Sequence, residues 1–180
     1  MVSVGAIIVD YRQQTFNDAL YFFEQANKIK KQLEQPFEYW KNCTYSIISA
    51  TLCMEAYMTM ENSAIKDPSN KTAWEACDKQ LKGYPNGIRK KMRFLECFYK
   101  IQIMDFQDPD WMNICSVIKL RNDIIHLNRV SIFNSITLTN AQNAIKACRD
   151  LIKKFHKGVG TNPPKWIDKS NSENYDNPQS

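Results

Sequence analysis

Between Asn42 and Met60 the chain carries a single charged side chain, Glu55. The surrounding stretch, residues 38–62, is helical in spacing and apolar nearly all round. A helix of this kind is expected at the centre of other helices, with a dimer contact as a further use of its apolar surface. It does not suit a bilayer. Asn42, Thr44, Ser46, Ser49, Thr51 and Thr59 interrupt it along with Glu55, and it lacks the run of about 18 apolar residues that a membrane span requires. No membrane association is expected. The chain has 5 glycines and 7 prolines in 180 residues, with the prolines outside the periodic segments, a pattern that favours helices over a turn-rich β architecture. The expectation is an all-α bundle of about five helices.

The remaining periodic segments supply the surrounding layer. Residues 13–33 form an amphipathic helix, with Phe16, Leu20, Phe23, Ala26 and Leu33 on one face and Pro36 closing it. Residues 63–71 read as a loop, 72–81 as a short helix and "GYPNG" as a turn. Residues 88–106 form a helix with Met92, Leu95, Phe98, Tyr99 and Ile103 inward. Asp108 is the expected N-cap, and Pro109 the first position, of a helix running to about Leu127. "NRVSIFNSITLT" is a loop or a short extended piece, and a last helix spans 139–158. At the N-terminus "VSVGAIIV" is a strand or extended arm that pairs across a dimer or lies on the bundle. The domain is expected over residues 1–158, with a polar, disordered tail over 159–180 in which Trp166 is a partner anchor or exposed.

The formal net charge is +5, a mild excess that alone decides nothing. Its distribution is uneven. From Lys79 to Lys100 there are seven basic residues and one acid, and from Lys146 to Lys157 five basic residues and one acid. Such segments either track a phosphate backbone or form a solvated, lysine-rich surface. Six cysteines are scattered without a CxxC pair, and there are two histidines. They read as reduced core thiols of a cytoplasmic protein, with no zinc site, metal or cofactor expected. "VSVGAIIV" lacks the basic flank and the length of a secretory signal.

The stretch "LRNDIIHLN", Leu120 to Asn128, poses the chemical question. Ile114, Val117, Ile118, Ile124 and Ile125 form one apolar stripe at about 100° per residue, and Arg121 falls in its middle. An arginine there is costly unless paired, and Glu55 is the candidate partner. Either the pair is structural or the arginine has a further role. Asn122 and His126 lie one turn apart on one face. His126 is a proton donor and acceptor at neutral pH, or a capping histidine at the helix end. A guanidinium can hold a phosphate and stabilise a phosphoryl transition state. The two side chains suffice in principle for metal-free RNA cleavage, because RNA carries its own 2′-hydroxyl nucleophile.

With those residues in view, "RNDIIH" resembles the R-x4-H motif of the HEPN superfamily, in which a polar residue, often Asn, follows the arginine. The context is similar as well. The motif lies late in a penultimate long helix. It follows a helix reading "SIISATLCMEAYMTMEN", whose acid falls where HEPN proteins often place one, and an amphipathic helix comes after it. The resemblance spans residues 12–157. It implies a helical bundle that dimerises so that two motifs face one cleft, and a metal-independent endoribonuclease of the kind used as a toxin or in antiviral defence. On that resemblance Arg121 and His126 are the catalytic pair, Asn122 orients the histidine or the phosphate, and Glu55 and Asp123 support them. Lys79, Lys82, Arg89, Lys90, Lys91 and Arg93 are the expected RNA-backbone contacts. RNA, a second copy of the chain, and an antitoxin or defence-system protein are the implied partners. Toxin members modified by a partner nucleotidyltransferase often read R-x4-H-x-Y. Here Asn128 stands in place of the tyrosine, which removes the target of that modification. The competing expectation is a non-catalytic helical module that dimerises and binds a nucleotide, RNA or protein in the same cleft. A third is an accessory or antitoxin-like protein.

Overall fold

A computed structural model describes residues 10–30, 36–81, 87–105, 107–126 and 130–172. Among these residues the chain forms six α-helices and no strand: α1 (Tyr11–Lys30), α2 (Pro36–Ala64), α3 (Lys71–Leu81), α4 (Ile88–Tyr99), α5 (Pro109–His126) and α6 (Leu138–Val159). Short 3-10 turns occupy Pro68–Asn70, Val130–Ser135 and Lys165–Asp168. The all-α expectation holds. The short helix expected at 72–81 is present as α3, and six helices stand where about five were expected. The N-terminal apolar arm, the centre of the "GYPNG" turn and Lys82 lie outside the described residues.

α2 is the axis of the bundle. α1, α4, α5 and α6 all pack on it. Cys43, Ile47, Ala50, Cys53, Met54 and Met58 have no exposed surface, as an apolar helix requires. Several of its polar residues find partners, while Thr44 Oγ1 and Asn62 Oδ1 are buried without one among the described residues. Thr51 donates to the Ile47 carbonyl within its own helix at 2.6 Å. Ser46 donates to the Ala19 carbonyl of α1 at 2.8 Å, and Asn62 to the Lys91 carbonyl of α4 at 3.2 Å. Ser46, one of the residues that make the segment unsuitable for a bilayer, thus ties α2 to α1. No helix among the described residues is long and apolar enough to cross a membrane.

Helix ends follow local chemistry. The Asp10 carboxylate accepts from the Arg12 amide at 2.9 Å and starts α1 two residues earlier than its apolar spacing suggests. Pro36 opens α2 rather than closing α1, with its missing N–H at the first helical position. Asp108 accepts from the Asp110 amide at 2.9 Å, so the expected cap of α5 is in place. α4 is shorter than the expected 88–106. Lys100 takes a left-handed conformation (φ 54) that ends it, and the Glu96 carboxylate then accepts from the Ile103 and Met104 amides, each at 3.0 Å. α6 ends at Gly160 (φ 73) rather than at Gly158. Gly158 is helical, and a Cβ there would stand 3.0 Å from Ile103. The ambiguous stretch before α6 contains a 3-10 turn rather than an extended piece.

The chain past Val159 departs most from expectation. A disordered tail does not describe residues 160–172. Ile167 is fully buried, and the Trp166 ring lies 5.6 Å from Phe16 and 6.5 Å from Tyr57. Arg149 of α6 donates Nε to the Ile167 carbonyl at 3.1 Å and its Nη2 to the Lys169 carbonyl. Glu24 of α1 accepts from the Ser172 amide at 2.7 Å. Two apolar side chains in a polar segment are enough to dock it when backbone carbonyls find a guanidinium. The segment is thus a strap closing α1 against α6. Trp166→Ala is expected to lower unfolding free energy by about 3 kcal/mol, the usual cost of deleting a buried aromatic. Urea denaturation checks this, and an unchanged midpoint would show the strap to be dispensable.

Candidate active site

α5 carries the motif and packs on both α2 and α6. Ile114, Val117 and Ile124 are buried along it and Ile118 is half-buried, but Ile125 is 46% exposed. The apolar stripe is therefore narrower than the spacing suggests, because among the described residues no element covers Ile125 in the last turn of α5.

Arg121 lies on the seam with α2. Its Nη2 stands 3.5 Å from Glu55 Oε2, with the two side chains 20% and 33% exposed. Nη1 donates to Asn122 Oδ1 at 3.0 Å. Nε is buried and has no hydrogen-bond partner among the described residues. The expected pairing with Glu55 is present, but it is a single loose contact that leaves part of the guanidinium's donor capacity unused.

His126 is exposed at the end of α5, on the same side as Asn122. Five residues at about 100° each put Arg121 and His126 roughly 140° apart, and about 7.5 Å along the axis. No hydrogen bond or ion pair joins the two among the described residues. Within one chain the motif is divided, with the arginine turned inward and Asn122 and His126 turned outward. Asp123 is half-buried between them.

The basic residues do not form one surface. Lys79 is exposed on α3, and Arg89, Lys90 and Arg93 are exposed around α4. Lys91 turns toward α2, where its Nζ donates to Thr59 Oγ1 at 2.6 Å. Of the set, Arg89 alone lines an open groove of about 470 Å³ between the start of α4 and the outer face of α5. Asn122, Asp123 and Lys119 line it too. Lys119 was not singled out by its sequence context, although it lies three residues from Asn122 and seven from His126, on the same helical face. The basic segment of α6 is largely committed to structure. Lys154 bridges Asp108 at 2.5 Å and Asp110 at 2.7 Å, Lys153 pairs with Asp168 at 2.5 Å, and Arg149 holds the strap. That segment fits the solvated-surface alternative better than a phosphate track.

All six cysteines are free thiols. Cys43, Cys53, Cys77 and Cys148 are buried, Cys97 is half-buried and Cys115 is exposed in the groove. Cys115 therefore departs from the expected core position.

A second polar cluster was not foreseen. His156, near the basic end of α6, bonds through Nε2 to the Tyr57 hydroxyl, and its Nδ1 lies 2.6 Å from Thr161 Oγ1. Arg12 sits 5.1 Å over the Tyr57 ring, 3.6 Å from Glu61 and 2.8 Å from Asp10. These residues come from α1, α2 and α6, and no local spacing reveals them. Burial, helped by the Arg12 charge, holds the His156 pKa below the usual histidine value. Burial pushes Glu61 up against the opposing effect of Arg12. A histidine with a depressed folded-state pKa stabilises the fold above about pH 6.5, its unfolded value, and that contribution is lost as pH falls below it. Glu61 acts with the opposite sign, since its neutral form is favoured on folding. The expected result is that wild type loses stability relative to His156→Gln as pH drops from 7 toward 5, measured by thermal melts of both proteins. Parallel curves would overturn the assignment.

Among the described residues, no three His, Cys, Asp or Glu side chains gather as metal ligands. No family model, curated protein or solved structure matches the chain.

Proposed function

We propose that the protein is a metal-independent endoribonuclease of HEPN type, acting as a homodimer in toxin or antiphage defence. The observation that carries the reading is Arg121. A guanidinium set into an apolar seam, with one loose carboxylate contact and an unused buried Nε, is poorly satisfied for a structural ion pair. Such a group is better explained by a ligand that completes its hydrogen bonds, and a phosphate does so. The outward position of His126 supports a composite cleft, in which the motifs of two copies face each other.

In that cleft His126 takes the proton from a ribose 2′-hydroxyl. The oxygen attacks the adjacent phosphorus and the bond to the 5′-oxygen of the next nucleotide breaks. The products are a 2′,3′-cyclic phosphate and a free 5′-hydroxyl, the latter protonated by a histidine. Arg121 stabilises the charge on the phosphorane, with Glu55 and Asn122 orienting it and Asp123 in support. Arg89, Lys79, Lys90 and Arg93 draw in the RNA backbone, together with Lys82 and Lys91.

Purified protein in EDTA is expected to cleave RNA and leave 2′,3′-cyclic ends. Arg121→Ala or His126→Ala is expected to reduce the rate by about 10²–10⁴ while the protein stays folded. Folded wild type that cleaves no RNA, or a His126→Ala variant with full activity, would end this reading.

A second reading, a non-catalytic dimerisation and binding module, draws on the exposed apolar side chains. Phe37 is 68%, Met112 61%, Phe133 47% and Ile125 46% exposed, and the Phe133 ring lies 5.0 Å from Trp40. Both readings need a second copy. Ile125→Glu with Phe133→Glu is expected to shift a dimer to monomer in sedimentation. Cleavage in EDTA then separates the two.

A further inference from the structure

The groove between α4 and α5 has the size and composition of a small-ligand site. Its volume of about 470 Å³ falls in the range of roughly 300–1,000 Å³ common for such sites. Ile88, Trp111 and Ile118 make its apolar floor, and Cys115 lies within it. Two cations, Arg89 and Lys119, stand against one carboxylate, Asp123. Arg89 is close enough to Cys115 to favour its thiolate, although burial dominates and pushes that thiol up. The first turn of α4 holds basic residues and no acid. Cations are disfavoured by the helix dipole at that end, so their presence there concentrates positive potential at the groove.

The groove also has a direction. Trp111, Cys115, Ile118 and Asn122 follow one another along α5 at helical spacing, and the next residue on that line is His126. From Lys119 to His126 is about 10 Å along the axis at 1.5 Å per residue, and from Asn122 about 6 Å. The latter is close to the spacing of one nucleotide.

We infer that this groove is a nucleotide subsite that holds one residue of a single-stranded RNA next to the one being cleaved. The inference rests on the nuclease reading for its role, but its binding is measurable without cleavage. The base lies on the floor of Ile88, Trp111 and Ile118. The phosphate sits on the side of Arg89 and Lys119, away from Asp123. Asp123 accepts from a ribose hydroxyl or a base amino group. An apolar floor alone would suit a peptide side chain, and cations alone a free phosphate. The two together, on a groove whose Asn122 is one turn and Lys119 two turns from His126, match a nucleotide. Paired RNA buries its bases and cannot present one to this floor, so the substrate class is unpaired RNA.

Cys115 supplies the test, being the exposed thiol of the six. Its alkylation rate is measured by peptide mass spectrometry with uridine or adenosine 3′-monophosphate, with the nucleoside, or with inorganic phosphate. At a nucleotide concentration about four times Kd the rate is expected to fall about fivefold, by the factor 1 + [L]/Kd. Arg89→Glu and Lys119→Glu, both at exposed positions, are each expected to weaken protection about tenfold, the size of one charge-assisted hydrogen bond. Protection persists in His126→Ala, because His126 lies outside the groove. Equal protection by inorganic phosphate would overturn the nucleotide assignment. No protection by any nucleotide, in protein that cleaves RNA, would remove the subsite and leave the nuclease reading standing. Nucleotide protection in protein that cleaves nothing would keep the subsite and remove the nuclease.

Discussion

The burial of most of α2 governs the rest of the structure, while the face carrying Tyr45, Ser49, Glu55 and Thr59 is exposed or half-buried. A helix with one charged residue between Asn42 and Met60 is stable in water only when other helices cover most of it, and α1, α4, α5 and α6 pack on it. Close packing leaves little freedom in how they approach. Ser46 and Asn62 set hydrogen bonds that pin α1 and α4 at opposite ends of α2. Glu55 is the point where charge enters this surface, and α5 meets it with Arg121. The apolar residues of α5 packed on α2 and α6 set its orientation, which brings Arg121 near the acid of the central helix.

That orientation divides the motif. Arg121 is held inward by the acid, while Asn122 and His126 face out beside the groove. Lys153, Lys154 and Arg149 of α6 are occupied by Asp108, Asp110, Asp168 and the strap, so they do not compete for an anion at α5. Much of the positive charge gathered at the motif helix comes instead from Arg89 of α4 and Lys119 of α5 itself. On the proposed function, this separates an inner group that stabilises charge from an outer group that moves a proton, with a second copy bringing the two together.

Several features were legible from residue order because short-range physics controls them. The α5 cap is one, since an aspartate followed by proline satisfies the first amides without help from elsewhere. The pairing of Glu55 with Arg121 is another, since the two charges break otherwise apolar helical faces. Other features depend on contacts made across the bundle. His156 stands at a basic helix end, where the local sequence gives no sign of a partner, and it bonds to Tyr57, 99 residues away in sequence. Trp166 sits in a polar segment, and its burial depends on a gap left by Phe16 and Tyr57. Ile125 continues an apolar period, but the period says nothing about whether a neighbour covers that last turn.

By itself the amino-acid sequence determined the helical class, the central position of α2, the placement of the motif near the end of α5 and the identity of its charged partner. These follow from periodicity, capping and the cost of leaving charge unpaired, all of which act within one helix or between two obvious misfits. Tertiary structure alone decided which way each motif residue points, which basic residues reach the groove, and how the segment after α6 docks. Those outcomes depend on the angles at which helices cross and on which surfaces remain uncovered. Such quantities are set by the packing of the whole bundle and are not carried by any local stretch of residues.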